Sequence, residues 1–292
     1  MAFFFRHLFA FAGIGLFWLL HWLPLSWLRA LGAGIGRGFY HCAGRRRRIG
    51  EINLKLCFPD WPEAKRRQVL QRHFVVFTQA FLDRCWMWWS PRAVIEKRIR
   101  CVGEENLLDN EKLITLAPHF VGLDAGGLAV SMRRHGGSMY YKQKNPVFDA
   151  CFLAGRSRFH APLLFSRQDG IRGIVKAIKG GTFFYYLPDM DLGKKESIFV
   201  PFFGVPAATV PGVSRLSRIT GAKVVACITE LTQDGYETRL LPPWENYPGE
   251  SIEADTARMN REIEQEILKM PHQYFWLHKR FKTRPPGEAK VY

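Results

Sequence analysis

Signatures of metal, disulfide and nucleotide sites are missing from this sequence of 292 residues. Its six cysteines include no Cys-x-x-Cys pair, which argues against a structural zinc site or a disulfide scaffold and predicts buried, reduced thiols. The sequence also lacks a Gly-x-Ser-x-Gly elbow, a Walker-type phosphate loop and a Gly-x-Gly-x-x-Gly turn after a strand. These absences exclude the commonest hydrolase, nucleoside triphosphatase and dinucleotide-binding classes.

Acidic residues are scarce, with 26 Asp and Glu against 42 Lys and Arg, and the formal net charge is +16. This excess favours polyanionic partners, namely nucleic acid, an anionic membrane surface, a phosphorylated substrate or an acidic carrier protein, and does not choose among them. The apolar fraction of 47% is typical of a folded protein, and the chain is long enough for one large domain or two small ones.

The N-terminal segment has the composition of a membrane anchor. Leu8–Leu23 is apolar except for His21, no acidic residue occurs in the first 50 positions, and four arginines follow at Arg45–Arg48. The run is near the lower limit of the roughly 17–25 residues of a spanning helix, and a basic block after a span keeps that side in the cytoplasm. We therefore predict a hydrophobic membrane-anchor helix in residues 1–28 and a cytoplasm-facing domain in residues 29–292. The alternatives are a cleaved signal peptide, a buried core helix and an interfacial helix lying flat on the membrane.

The rest of the chain alternates between helical and strand-like patterns. Helical spacing of apolar residues predicts a helix over Pro62–Asp83, and the Trp-rich stretch Cys85–Pro91 fits either a core or a membrane interface. The predicted strands are Leu113–Ala117, Ser138–Lys142, Thr182–Leu187, Lys223–Thr229 and Glu237–Leu241. The predicted helices are Gly122–Arg134, Val147–Phe159, Gly170–Lys179, Pro211–Thr220 and Ile252–Met270. Such alternation predicts an α/β fold with a mostly parallel central sheet flanked by helices.

One histidine and one aspartate form a candidate acid–base pair. His119 closes the predicted strand before it, and Asp124 follows five positions later in the segment HFVGLDAGG. Histidine suits proton removal from an attacking hydroxyl because its pKa lies near neutral pH, and a carboxylate on its second nitrogen fixes the tautomer. A histidine–acid pair at this spacing is expected about once by chance in a chain with nine histidines and 26 acidic residues, so the context decides.

Several longer blocks supply that context. They are RRRRIGEINLKLCFPDW (Arg45–Trp61), APHFVGLDAGG (Ala117–Gly127), YYKQKNPVFDACFLAGRSRF (Tyr140–Phe159), the block that runs from LPDMDLG to RITGA (Leu187–Ala222) and YFWLHKRFKTRPPGE (Tyr274–Glu288). With them the chain resembles the lipid A late acyltransferases, the lauroyl and myristoyl transferases of Gram-negative envelope synthesis. The His-x-x-x-x-acid motif is shared with the wider glycerolipid acyltransferase superfamily, whose fold the resemblance implies. The block from PDMD to FFGVPAAT and the C-terminal WLHKRFKTRP are more particular to the lipid A branch.

The resemblance implies roles for individual residues. His119 would be the general base and Asp124 its partner, where many relatives carry Glu. Arg156 matches an arginine near the acceptor phosphate or the developing charge, and Arg158 is a second candidate for substrate binding. Because residues two apart on a helix do not share a face, at most one of these arginines should point into the site. Asp189 matches an active-site acid in a turn where the family usually reads PDQD and this chain reads PDMD; a turn-capping role is the alternative.

Two adjacent phenylalanines are candidates for contact with the acyl chain. Phe202 and Phe203 follow the PDMD turn, and we predict that they line an acyl-chain groove; ordinary core packing is the alternative.

The combined prediction is an acyltransferase anchored in the bacterial inner membrane, with its catalytic domain on the cytoplasmic face. It would transfer an acyl chain from acyl carrier protein to a hydroxyl of a phosphorylated lipid A precursor, in contact with membrane lipids and without a metal or bound cofactor. Transfer to lysophosphatidate or another glycerolipid is the nearest alternative. An acyl-ester hydrolase is a second. A non-enzymatic nucleic-acid-binding protein is a third, disfavoured because no nucleic-acid-binding motif accompanies the basic charge.

Overall fold

The computed structural model describes residues 7–108, 111–166 and 170–292. The helices are α1 (Leu8–Leu20), α2 (Leu25–Cys42), α3 (Gly44–Cys57), α4 (Glu63–Trp89), α5 (Arg92–Arg98), α6 (Glu105–Leu108), α7 (Leu123–Ser131), α8 (Pro146–Arg156), α9 (Arg172–Lys179), α10 (Gly212–Thr220) and α11 (Ile252–Lys269). The strands are β1 (Ile99–Val102), β2 (Leu113–Leu116), β3 (Gly136–Met139), β4 (Leu163–Phe165), β5 (Phe183–Tyr186), β6 (Ile198–Phe202), β7 (Val205–Thr209), β8 (Lys223–Leu231) and β9 (Tyr236–Leu240).

Seven of the strands form the central sheet. Their order is β1-β9-β8-β2-β5-β3-β4, and every neighbouring pair is parallel except β8 and β9. The predicted α/β fold with a mostly parallel sheet is thus confirmed. The central strand β2 is buried along its whole length, as expected where helices cover both faces of a parallel sheet.

A two-stranded antiparallel hairpin lies outside the central sheet. β6 pairs with β7, and the two residues between them, Phe203 and Gly204, both have positive φ, at 48° and 74°. Positive φ at both central positions is the geometry of the tight hairpin turn that matches strand twist. The sequence analysis did not predict this hairpin, because its prolines, Pro201 and Pro206, made the segment unlike a strand.

Helix α4 is longer than predicted and organises the core. It runs through the Trp-rich stretch to Trp89, two residues before Pro91, whose ring disfavours a helical residue before it. Trp86 and Trp88 are buried in a cluster that includes Leu128 of α7, so these two rings are core residues. A larger core includes residues of α3, α4, β2, β8, α11 and the segment after α11. All six cysteines are free, but the prediction that they are buried holds only for Cys57, Cys85 and Cys227, since Cys42 is exposed and Cys101 and Cys151 are half-buried.

The N-terminal run divides into two helices. α1 has 13 residues, which gives about 20 Å of helix against the roughly 30 Å of a bilayer core, and α2 begins after Pro24. No helix in the described part of the chain is both long and apolar enough to cross a membrane, so the predicted spanning helix is not found.

Candidate active site

Two neighbouring parallel strands bring His119 and Asp189 together. His119 follows β2 and Asp189 follows β5, and these strands pair in parallel with Leu116 opposite Tyr186. The carboxyl ends of parallel strands meet at one edge of the sheet, which is where ligands bind in open α/β folds. His119 and Asp189 are therefore in direct contact, although 70 residues separate them in the sequence.

Two hydrogen bonds join His119 and Asp189. Nδ1 of His119 lies 2.7 Å from Oδ1 of Asp189, and the backbone N–H of His119 donates to Oδ2 at 3.0 Å. The Asp189 side chain is only 1% exposed, whereas that of His119 is 20% exposed. A carboxylate that accepts from Nδ1 leaves Nε2 as the basic nitrogen of the neutral ring.

Asp189 remains ionised in this setting. Burial raises the pKa of its carboxyl, but the charge of His119 and its two hydrogen bonds outweigh burial, and the net pKa lies below the ordinary value. An anion beside the ring stabilises the imidazolium that forms when His119 takes a proton.

Asp124 is not the carboxylate that touches His119. Its Oδ1 accepts from Arg156 Nε and Nη2 at 3.1 and 2.8 Å, and its Oδ2 accepts from Arg84 Nε. Asp124 lies in the first turn of α7, facing Arg84 on α4 and Arg156 at the end of α8, and no hydrogen bond joins it to His119 in the described residues. The predicted pairing of Asp124 with His119 is therefore wrong; Asp189 takes that place.

Two guanidinium groups hold Asp124 in its ionised form. Burial alone would raise the pKa of its carboxyl. The charges and hydrogen bonds of Arg156 and Arg84 have the larger, opposite effect, so the pKa lies far below the ordinary value. The Arg156 side chain is 41% exposed, so part of it is accessible to a ligand. The site thus contains a histidine–carboxylate pair and a separate arginine cluster.

The two arginines near the end of α8 diverge, as their spacing predicted. Arg156 reaches Asp124, whereas Arg158 donates to the backbone oxygens of Met87 and Ser90 at 2.6 and 2.7 Å. The guanidinium of Arg158 therefore stabilises the C-terminal end of α4.

A mostly apolar cavity of about 120 Å³ adjoins the arginine cluster. Asp124 and Arg156 contribute to its polar wall, while Gly127 and Val130 of α7 and Phe183 of β5 belong to its apolar lining. Its size is close to the ~150 Å³ of engineered cavities that accept benzene, so it admits part of a fatty chain.

Phe202 and Phe203 do not line this cavity. Phe202 is fully buried, with its ring centroid 5.1 Å from that of Phe203 and 6.2 Å from that of Phe281. Phe203 occupies the hairpin turn and packs against Phe58. The prediction that Phe202 lines an acyl-chain groove is wrong. Phe202 is part of the hydrophobic core, and Phe203 packs against that core.

Residues 273–283 complete the site from the C-terminal part of the chain. The N–H of Phe275 donates to the carbonyl of His119 at 2.9 Å, and the Asp191 carboxylate accepts from the Thr283 N–H and hydroxyl at 2.6 and 2.8 Å. Nε2 of His278 accepts from the Asp191 N–H at 3.1 Å, and burial contributes most to lowering the pKa of His278 to about 4.

Arg280 is a buried cation in the same segment. Its Nη1 donates to Ala208 O and its Nη2 to Thr209 Oγ1, at 2.8 and 2.7 Å. Its charge is one of the influences that lower the pKa of Asp189. Arg84, Asp191 and Arg280 were not predicted as site residues, although Asp191 is the second acid of PDMD and Arg280 lies in the block Tyr274–Glu288.

The chain as a whole is similar to several known proteins. Residues 4–283 match the family model described as "Bacterial lipid A biosynthesis acyltransferase". The lipid A biosynthesis lauroyltransferase of Escherichia coli K12 is 34% identical over 98% of this chain and 95% of its own. The palmitoleoyltransferase of the same strain is 33% identical (96% and 93%), and its myristoyltransferase is 35% identical (89% and 82%).

Among solved structures, the chain aligns with a 1-acyl-sn-glycerophosphate acyltransferase from Thermotoga maritima. The alignment has a TM-score of 0.40 and 13% identity, over 83% of this chain and 97% of the other.

Proposed function

The chain belongs to the bacterial lipid A biosynthesis acyltransferase family, and from that premise we propose that it transfers a fatty acyl chain from acyl carrier protein to a hydroxyl of a phosphorylated lipid A precursor. The enzyme is an acyltransferase. The observation that carries the proposed chemistry is the contact between His119 and the buried, ionised Asp189.

His119 is the proposed general base. Nε2 takes the proton of the acceptor hydroxyl while the hydroxyl oxygen bonds to the thioester carbonyl carbon. The tetrahedral intermediate then collapses, the carbon–sulfur bond breaks, and the imidazolium returns its proton to the leaving thiolate. Asp189 orients the ring and stabilises the imidazolium, so the ester forms with no change in the total proton count.

Arg156 is the proposed cationic group of the site. Asp124 and Arg84 fix its guanidinium at the wall of the cavity, and its exposed part faces either the oxyanion of the intermediate or the acceptor phosphate. A preorganised cation at the position where negative charge develops lowers the barrier because it needs no reorganisation during the reaction. Asp124 is thus a positioning residue in this proposal.

The apolar cavity is the proposed site for part of the acyl chain. Its lining comes mainly from α7, β3 and β5, the elements beside Asp124 and Arg156. The three Escherichia coli relatives are named for three different acyl chains at 33–35% identity, so overall identity does not assign a chain length to this protein.

A basic surface near the site is suited to binding an acidic carrier protein. Lys194, Lys195 and Lys282 are exposed, and Lys282 Nζ lies 3.9 Å from Oδ1 of Asp191. Complementary charge of this kind accelerates association and orients the partner.

Contact with the membrane is proposed through the outer faces of α1 and α2. Phe9, Trp22 and Trp27 are 92%, 72% and 68% exposed, which is unusual for large apolar side chains in a folded protein. Aromatic residues of this kind favour the membrane–water interface, so we propose that these helices lie on the bacterial inner membrane, on its cytoplasmic face. The division into an anchor (residues 1–28) and a catalytic domain (residues 29–292) remains a prediction.

The reaction is tested with the purified full chain, an acyl carrier protein thioester and either a lipid A precursor or lysophosphatidate as acceptor. Mass spectrometry should show one added acyl group on the lipid A precursor with the native enzyme. His119→Ala should lower the rate of product formation by about 10²–10⁴-fold. The matched change at an exposed histidine outside the site, His135→Ala, should leave the rate unchanged. Transfer to lysophosphatidate alone, or release of free fatty acid alone, would contradict the proposal.

A further inference from the structure

A second, polar groove lies between α2 and α4, outside the site described above. Its volume is about 540 Å³. Its lining comes from both helices and includes Arg37, His41 and Arg72. A groove of this size is within the range of small-molecule sites and is large enough for a lipid headgroup.

The charge in the groove is of one sign. Arg37, His41 and Arg72 are exposed and basic, and none of the lining residues is acidic. In the described part of the chain, none of these three forms an ion pair with a carboxylate, although arginines elsewhere on α4, such as Arg67 and Arg84, do. A groove with unneutralised cations is suited to an anion, and arginine in particular suits phosphate.

One edge of the groove borders the apolar outer face of α2. At about 100° per residue, Trp27 and His41 project within about 40° of each other around the helix axis. Leu31 and Ile35 extend the exposed apolar face of which Trp27 is part. His41 therefore lies near the border between an apolar surface and water, which is the level of headgroups when a helix lies flat in a membrane.

The groove is close to the catalytic histidine but separate from it. His73, beside Arg72 on α4, is buried with its ring centroid 6.4 Å from that of Phe275, and the Phe275 ring lies 6.5 Å from that of His119. Nδ1 of His73 is 3.1 Å from the carbonyl of His272. A ligand in the groove would thus lie behind the wall of the active site.

We infer that this groove binds the phosphate of an anionic membrane phospholipid, with Arg37 and Arg72 as the principal contacts and His41 at its rim. The lipid's acyl chains would lie along the apolar outer face of α2. The inference rests on the membrane contact proposed above, and phosphate of the acyl acceptor is the other source of the same chemistry.

The test uses the full chain and a soluble short-chain phosphatidylglycerol, held below its critical micelle concentration and titrated by calorimetry. Loss of a charged hydrogen bond to a ligand weakens binding by about tenfold or more, so Arg37→Gln and Arg72→Gln should each raise the Kd by at least that factor. Arg215→Gln removes the same charge from an exposed position on α10 and should leave the Kd unchanged. Short-chain phosphatidylcholine should bind the native protein at least tenfold more weakly.

The assay requires neither turnover nor a bilayer, so its outcome is independent of the proposed reaction and of vesicle binding. Equal Kd values for the native protein and both groove variants would overturn the inference, provided that thermal unfolding shows all of them folded. An increase in the acceptor KM of Arg37→Gln without a change in phosphatidylglycerol affinity would assign the groove to the acceptor's phosphate and would also overturn it.

Discussion

Nδ1 of His119 lies 2.7 Å from Oδ1 of Asp189, although 70 residues separate them in the sequence. The five-residue spacing of His119 and Asp124 suggested a local pair, but the strand ends supply a different partner. Asp189 follows a strand of the same sheet, so the pairing of β5 with β2 fixes its position relative to His119. This relationship changes which substitutions should affect proton transfer and which should affect the shape of the site.

We expect His119→Ala and Asp189→Asn to act on the same step. Loss of a general base costs about 10²–10⁴-fold in rate, and an amide at position 189 favours the wrong imidazole tautomer. Because the two groups act as a unit, the double variant should be little slower than His119→Ala alone. Turnover rates of the three variants check this, with circular dichroism as the folding control. Multiplied losses in the double variant would contradict a shared step.

Asp124→Asn should reduce stability as well as activity. It leaves the guanidinium groups of Arg84 and Arg156 without their carboxylate, and removal of one partner of a buried ion pair costs about 3–5 kcal/mol. Because the Arg156 side chain is 41% exposed, we expect about 1–3 kcal/mol in the free energy of unfolding. Urea unfolding measures it. The exchange Asp124→Glu should retain measurable activity, and an unchanged unfolding midpoint in Asp124→Asn would contradict the structural role.

Acidification should destabilise the protein in two stages. Burial contributes most to lowering the pKa values of His73, His272 and His278, each to about 4. Their stabilising effect is present above the unfolded pKa of about 6.5 and is lost as the pH falls toward about 4, because the unfolded chain binds the extra protons. The lowered pKa values of Asp124 and Asp189 extend the loss to lower pH. Urea midpoints between about pH 7 and pH 4 test the sign, since a midpoint that rises on acidification would contradict it.

Gly127→Leu should shift donor preference toward shorter chains. Gly127 lines the apolar cavity, and a Cβ there would be 4.0 Å from Tyr185, so a side chain can enter the cavity without displacing the backbone. Each methylene that no longer fits forfeits about 0.8 kcal/mol, or roughly a fourfold change in kcat/KM. Competition between carrier-protein donors of different length measures the shift. Gly38→Leu, at an exposed glycine of α2, is the control, and equal ratios in both variants would remove the cavity from chain selection.

Replacing Trp22 and Trp27 with Ser should reduce binding to vesicles. Both side chains are largely exposed on the proposed membrane face, and together they account for a substantial apolar area. Co-sedimentation with anionic vesicles should show at least a tenfold loss of binding while turnover of a detergent-dispersed acceptor is retained. Unchanged co-sedimentation would place the membrane contact elsewhere on the protein.

The sequence predicted five of the seven strands of the central sheet because those five carry a local strand pattern, but it did not predict the edge strands β1 and β4. Leu113–Ala117 and Lys223–Thr229 are mostly apolar and rich in β-branched residues, and the structure places strands over both. Patterns of side-chain polarity do not encode which strand lies beside which. The order that places β5 next to β2, and hence Asp189 next to His119, therefore could not be read from either segment alone.

The arginine cluster was beyond local prediction for a similar reason. Arg84 lies in the C-terminal part of α4, one residue beyond the predicted end of that helix, and only the packing of α4, α7 and α8 brings it to Asp124. The N-terminal apolar run does not form a spanning helix because Pro24 and the residues before it interrupt the helix. The mean apolar content of the run does not reveal this interruption.

The segment Gln273–Thr283 has a consequence for synthesis of the protein. It holds the backbone of His119 through Phe275 and accepts hydrogen bonds from Asn53 of α3 at Trp276 and His278. The ribosome makes this segment after every element that it joins. A nascent chain that forms its sheet before this segment is made therefore lacks the contacts that hold the backbone of His119. The order of synthesis is then also the order of assembly, with the sheet first and the surroundings of His119 last.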